Sequence, residues 1–503
     1  MGTEFGLINW LTLAAFLLAT TWFGHRMSNK AGNLDDFFLG GRKLPWWAVS
    51  GSIIASQISA VTIIATPGFL FRESGNLLFL QGTLIGFIIA KFLMALLFVK
   101  PYYEKKIYSP YDFIENRLGT RSSGLARTLF VIGTIFGHGI RLLTIALVFS
   151  VVAGTPIANS ILVMAVVAIL WTLMGGVTTV IWTDFILFLV IITGAVITIV
   201  SIGINIPYGW LDAVDIFNSE GKLQLLDWSL NPVKTWTVWT GLICFTVFEL
   251  AQNSVDQVIT QRMMCCRNYR EARKAIYGSL IITVIILMMT LIGLGLWLYY
   301  RINPAPEGIA QFLTDQPSRV FPFYVISELP VGLSGLIIAA IFAAGISTLD
   351  SAIAALSETT INGFYKRFIR QDANDKHYVY ASRISVIIWG AFLGGLAYAW
   401  GALLENEALL NLAYKAPILT YGPMLMIALF ALRKPVSTGA IYTGAISGVT
   451  AALLLLSINI LYGKFLDEFW IYPATCIAFL LGTGSYSFFK INFNRFENKY
   501  SLK

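Results

Sequence analysis

Charge is scarce in this chain: Asp, Glu, Lys and Arg make up 12% of its 503 residues, against a 57% hydrophobic share. That balance excludes a soluble globular protein, because no single water-soluble core of this length could bury so much apolar sequence. Histidine is scarcer still. His25, His138 and His377 are the full set, and none stands at metal-ligand spacing from Cys or acidic residues. The sequence therefore offers no basis for haem, zinc or a Ser-His-Asp triad, and an enzyme is not expected. The four cysteines, Cys244, Cys265, Cys266 and Cys476, have no framework spacing, so no structural disulfide is expected. Gly175 and Gly176 lack the strand-to-helix setting and the following lysine of a phosphate loop, which argues against coupling to ATP. No basic region or cleavage site accompanies the first apolar run, which is expected to remain as a helix.

What the chain has is apolar sequence in long runs, with a mean hydropathy of +0.72. Runs such as Ile161 to Met174 and Phe185 to Ile202, with their flanks, approach the roughly 20 residues that cross about 30 Å of hydrocarbon. The pattern predicts an all-α polytopic membrane protein, one transmembrane domain over 1–503 with about thirteen spanning helices. They lie near 6–25, 47–71, 78–100, 124–153, 157–174, 177–203, 234–257, 274–300, 330–362, 379–401, 406–431, 437–462 and 468–489. An odd number of helices per repeat forces a second repeat to be inverted. Residues 47–203 and 234–431 can be matched as two such repeats, with an extra helix at 6–25 and two more over 437–489. The longest outer loop, 205–232, has room for a short amphipathic helix.

The net charge of +8 reads as topology, with no nucleic-acid partner, because the basic residues sit almost wholly in short loops. With the N-terminus outside, 26 of the 35 Lys and Arg fall in inner loops or at the inner ends of spans. Six lie outside: Arg72, Lys222, Lys234, Arg301, Arg319 and Lys464. Three, Lys91, Arg141 and Lys415, lie within spans. This bias places the C-terminus in the cytoplasm and the protein in a cell inner membrane or plasma membrane.

Polar residues inside the spans carry the chemistry. The second span holds Gly51, Ser52, Ser56, Gln57, Ser59 and Thr62, then Pro67 and Gly68. Such a helix can unwind midway, and its freed carbonyls suit sodium; alternatively, its small residues permit close helix packing. The ninth span offers Ala344, Ser347, Thr348, Asp350 and Ser351, with Ser347 and Ser351 on one face. Hydroxyls with one carboxylate suit an alkali cation, or the acid is held by Lys or Arg for packing. Asp184 can complete a second cation site or cap its helix. Arg141, near the middle of its span, is suited to bidentate capture of a carboxylate solute, or to an internal pair with Glu249 or Glu358. Lys91 is expected near the inner interface and Lys415 at a cavity or a carboxylate. Gln81, Glu249 and Gln252 are further polar groups at midplane depth.

Five ordered segments then stand together: Phe37 to Trp47 (FFLGGRKLPWW), Ala55 to Thr62 (ASQISAVT) before Pro67, Gly175 to Asp184 (GGVTTVIWTD), Asp256 to Arg262 (DQVITQR) and Gly345 to Ser351 (GISTLDS). Over about residues 35–435 the chain resembles the sodium/solute symporter family, which includes sugar, iodide, monocarboxylate and sialic acid transporters. The resemblance implies the leucine-transporter-type fold. It places a sodium site on Ala55, Ile58, Ala344, Ser347 and Thr348, and a second on Asp184, Ser347, Asp350 and Ser351. At Asp350 the sialic acid branch has serine instead. Implied solute contacts are Ser59, Thr62, Gln81, Glu249, Gln252 and Lys415, with Arg141 one turn from an arginine that holds the solute carboxylate in the sialic acid branch.

The function expected is sodium-coupled symport of a small organic anion such as sialic acid or a monocarboxylate, by a functional monomer in the lipid bilayer. Sodium is the ion required. A neutral sugar or polyol is the rival solute, and a membrane sensor without net transport is the rival of another class.

Overall fold

The computed structural model describes residues 5–27, 39–58, 61–104, 107, 109–174, 177–403, 415, 417–433 and 436–500. Their regular structure is helical, apart from one isolated bridge between Leu44 and Cys266. Helix is what a lipid solvent demands, since it satisfies backbone donors and acceptors within the segment. Each of the segments expected to span carries helix, although 406–431 lies partly outside the described residues and enters them as Tyr421–Leu432. Among the described residues, seven stretches are long and apolar enough to cross a bilayer unaided: Leu78–Glu104, Thr120–Ala153, Val177–Asn205, Tyr269–Ile302, Leu333–Ile369, Tyr380–Ala402 and Thr438–Tyr462. The pair Trp46–Gln57 and Val61–Phe71, bent by 62°, makes an eighth when taken as one broken span.

The chain forms two compact units. The first gathers Met1–Phe79, Ile135–Leu226 and Gln261–Tyr414. Within it, Trp46–Gln57 packs on Val177–Asn205 and on Leu333–Glu358. Close approach depends on a missing side chain at Gly51, where a Cβ would fall 2.4 Å from the Phe185 ring. The loop after Val177–Asn205, which has room for a short helix, does hold one, Trp210–Ser219. Ala213, Ile216 and Phe217 of that helix cluster with Trp297, Leu298 and Phe71. Just beyond, the buried Lys222 donates from Nζ to the Leu70 carbonyl at 3.2 Å and lies 4.7 Å above the Trp297 ring. Burial lowers its ammonium to about 8, against the opposing pull of Glu73 and Glu220.

The second unit gathers Leu80–Thr134, Asp227–Thr260 and Lys415–Lys503. Its two C-terminal helices, Thr438–Tyr462 and Ile471–Tyr500, pack on each other, and Tyr421–Leu432 packs on both. The short helix Pro110–Leu118 starts with a capping box: Ser109 Oγ accepts from Asp112 N, and Asp112 Oδ2 accepts from Ser109 N. Arg127 then binds Asp112 at 3.1 Å and Glu115 at 3.5 Å, tying that helix to the start of Thr120–Ala153.

Candidate functional site

The polar run in the second expected span does break its helix. Trp46–Gln57 ends at Ile58, whose φ of −76° and ψ of 95° are extended, and the chain resumes as a wide helical turn over Val61–Ala65. A helix that stops in this way leaves its last carbonyls without intrahelical donors. Among the described residues, no side chain donates to the carbonyl of Ala55 or of Ile58. Ser59, an expected solute contact, lies outside the described residues; Thr62 stands half-buried in the turn that follows.

The serine-bearing helix Leu333–Glu358 is unbroken and nearly all buried. Thr348 Oγ1 donates to the Ala344 carbonyl at 2.9 Å, and Ser347 Oγ donates to Asp184 Oδ1. A hydroxyl has one hydrogen and two lone pairs, so both side chains have spent their hydrogen and keep oxygen lone pairs for a cation. Ser52, one turn before Ala55, donates to Asp184 Oδ2 at 2.7 Å. One carboxylate thus joins the broken helix to the serine helix, just below the break. These residues fit a hard cation that prefers neutral oxygens, and the described residues hold no His, Cys, Asp or Glu cluster of the kind that binds a transition metal.

Asp184 is therefore not a helix cap. It lies within Val177–Asn205, fully buried, and its charge is balanced by a residue to which sequence reasoning gave no site role. Arg262, 4% exposed at its side chain, donates to Asp184 Oδ2 from Nη2 at 3.1 Å and from Nε at 3.4 Å. The same guanidinium donates to Ser52 Oγ at 3.0 Å and to Ser351 Oγ at 2.7 Å. Ser351 in turn donates to Asp350 Oδ1 at 3.1 Å. The residues expected to form a second sodium site do converge, but around an arginine. Its signal in the sequence was the DQVITQR segment, in which the arginine follows a helix-breaking aspartate at fixed spacing.

The remaining expected contacts divide between the units. Arg141, in the first, is hydrogen bonded to the His138 ring at 2.9 Å. Among the described residues it makes no ion pair, and Glu358, in the same unit, accepts from Asn362 at 3.3 Å. In the second unit, both ends of the Gln81 amide are engaged by backbone: Nε2 donates to Trp236 O at 2.9 Å and Oε1 accepts from Asp227 N at 3.0 Å. Gln81 is thus built into the helix pairing, where a Cβ on Gly241 would meet the Gln81 carbonyl at 2.3 Å. Glu249 is fully buried and accepts from Asn253 at 3.2 Å, whereas Gln252 beside it is half-buried. Lys91 does not reach an interface: it is fully buried, where the charge of Glu249 acts on it. Of the two surroundings expected for Lys415, the carboxylate is the one found, Glu468 at 3.4 Å.

Residues 37–500 match the sequence model of the Sodium:solute symporter family. The chain is 28% identical over 468 residues to the sodium/sialic acid symporter SiaT of Proteus mirabilis, with 90% of each covered. It is 26% identical over 510 residues to the sodium/sialic acid symporter NanT of Aliivibrio fischeri, covering 98% of this chain and 96% of that one. To the human sodium/iodide cotransporter it is 25% identical over 460 residues, covering 90% of this chain and 69% of the relative. In structure it is similar to a Na+-coupled sialic acid symporter solved in a substrate-bound outward-open state, with a TM-score of 0.82 at 24% identity over 95% of this chain and 97% of that one. The nucleobase-cation-symport-1 transporter Mhp1 in a closed conformation gives 0.52 at 14% identity, over 88% and 92%. These likenesses establish the leucine-transporter-type helical fold.

Proposed function

The chain belongs to the sodium:solute symporter family, and on that premise we propose that it imports a small organic anion, of the sialic acid or monocarboxylate class, together with sodium. The names of its relatives support the solute class, and so does Arg141, a permanent cation with no carboxylate partner among the described residues. One observation carries the sodium assignment. The helix Trp46–Gln57, which breaks at Ile58, packs on the helix whose Ser347 and Thr348 hydroxyls have already given up their hydrogens.

In this reading sodium is held by the carbonyls of Ala55, Ile58 and Ala344 and by Ser347 and Thr348. The solute is taken by residues drawn from Ser59, Thr62, Gln81, Arg141, Glu249, Gln252 and Lys415, with Arg141 on its carboxylate. Residues 47–203 and 234–431 act as two inverted repeats, the N-terminus faces outward, and one chain is the working unit. Sodium entering from outside holds the broken helix against the serine helix, which favours the form that binds solute. Coupling needs only that each ligand binds better in the other's presence, a reciprocal free energy.

Uptake into proteoliposomes tests this. An inward sodium gradient should raise accumulation of labelled sialic acid or of a monocarboxylate by roughly 5- to 150-fold over a potassium gradient, the range of ordinary coupling energies. Equal uptake in both gradients would contradict sodium coupling. Sodium-driven uptake confined to neutral sugars would overturn the solute class, and binding without accumulation would point to a sensor.

A further inference from the structure

The donor set around Asp184 was expected to hold a second sodium, and within it Asp184 Oδ2 and the Ser351 oxygen are already engaged by Arg262. Asp184 Oδ2 accepts from Ser52 Oγ and from two nitrogens of Arg262, and Oδ1 accepts from Ser347. The oxygen of Ser351 accepts from Arg262 Nη2. A sodium there would compete with the guanidinium for Asp184 Oδ2 and the Ser351 oxygen, and the guanidinium already supplies a compensating charge to Asp184. Arg262 stands on the short helix Gln257–Met264, which begins just after the extended residue Asp256, so its cation is tethered to a separate element of the chain.

We propose that Arg262 is the built-in cation of the Asp184 site: it occupies the place of a second sodium, limits the protein to one bound sodium, and is the residue that sets this stoichiometry. The inference rests on the sodium reading above for the first site. Docked guanidinium and second sodium exclude each other, so removing the guanidinium while keeping Asp184 converts a one-ion protein into a two-ion protein. The first site shares only Ser347 with this cluster, through lone pairs that its bond to Asp184 leaves open.

The test is the number of radiolabelled sodium ions bound per purified full-length chain at saturation, at constant ionic strength. The wild type should bind one, Arg262→Gln two, and the double variant Asp184→Asn with Arg262→Gln one again. Because the double variant removes both partners of the Asp184–Arg262 pair, it leaves neither of them as a buried unpaired charge and serves as a control for folding. Two ions in the wild type, one in folded Arg262→Gln, or two in the double variant would each overturn the proposal. The wild-type count decides even where Arg262→Gln fails to fold. No sodium bound to a folded wild type would defeat the sodium reading itself, an outcome distinct from the others.

Discussion

Two helix interruptions among the described residues are finished differently. At the second, Thr246–Val255 ends at Asp256 and resumes as Gln257–Met264. Its loose ends are closed by protein. Tyr102 Oη donates to the Ser254 carbonyl at 2.7 Å, and Tyr111 Oη donates to the Val255 carbonyl at 3.0 Å. Asp256 caps the resumed helix by accepting from Val258 N at 2.8 Å, and Tyr421 Oη donates to its other oxygen at 3.2 Å. At the first break, no described side chain donates to the Ala55 or Ile58 carbonyl. A break lined with resident hydroxyl hydrogens is a joint, whereas one whose carbonyls meet no described side-chain donor is suited to a cation.

The contrast predicts which substitutions alter ion response and which alter stability. Ser347→Ala should have the largest effect, because it removes a sodium ligand together with a donor to buried Asp184. Its apparent sodium affinity in uptake assays should fall by tenfold or more, equivalent to about 1.4 kcal/mol. An unchanged sodium dependence would detach the serine helix from the ion. Tyr102→Phe and Tyr111→Phe should each cost about 1–3 kcal/mol of stability, the range for a buried acceptor left unmet, with sodium affinity within twofold of wild type. Thermal unfolding read beside sodium titration separates the two cases. A tyrosine variant that lost sodium response at full stability would erase the distinction between the breaks.

Much of the fold was legible because the spans are long apolar runs, and because Gly, Ser and Pro clustered in a span reveal a weak point in a helix. The break in the second span was readable on those grounds, and room for the helix Trp210–Ser219 was readable from the length of its loop. The closing of the second break was not, since its tyrosines lie far along the chain from the carbonyls they meet and look like ordinary span-flanking aromatics. Arg262 was hidden for another reason: a basic residue at the inner end of a span already has a topological explanation. Gln81 shows what the sequence leaves open at such a position. A polar side chain at midplane depth reads as a solute contact, yet its amide is engaged by the Trp236 and Asp227 backbone.

Hydrogen exchange with and without sodium tests the contrast most directly, on peptides covering 50–66 and 250–264 of the wild-type chain. Sodium should slow exchange in the first peptide and leave the second unchanged. Equal protection of both, or protection of the second alone, would contradict the assignment of the ion to the first break.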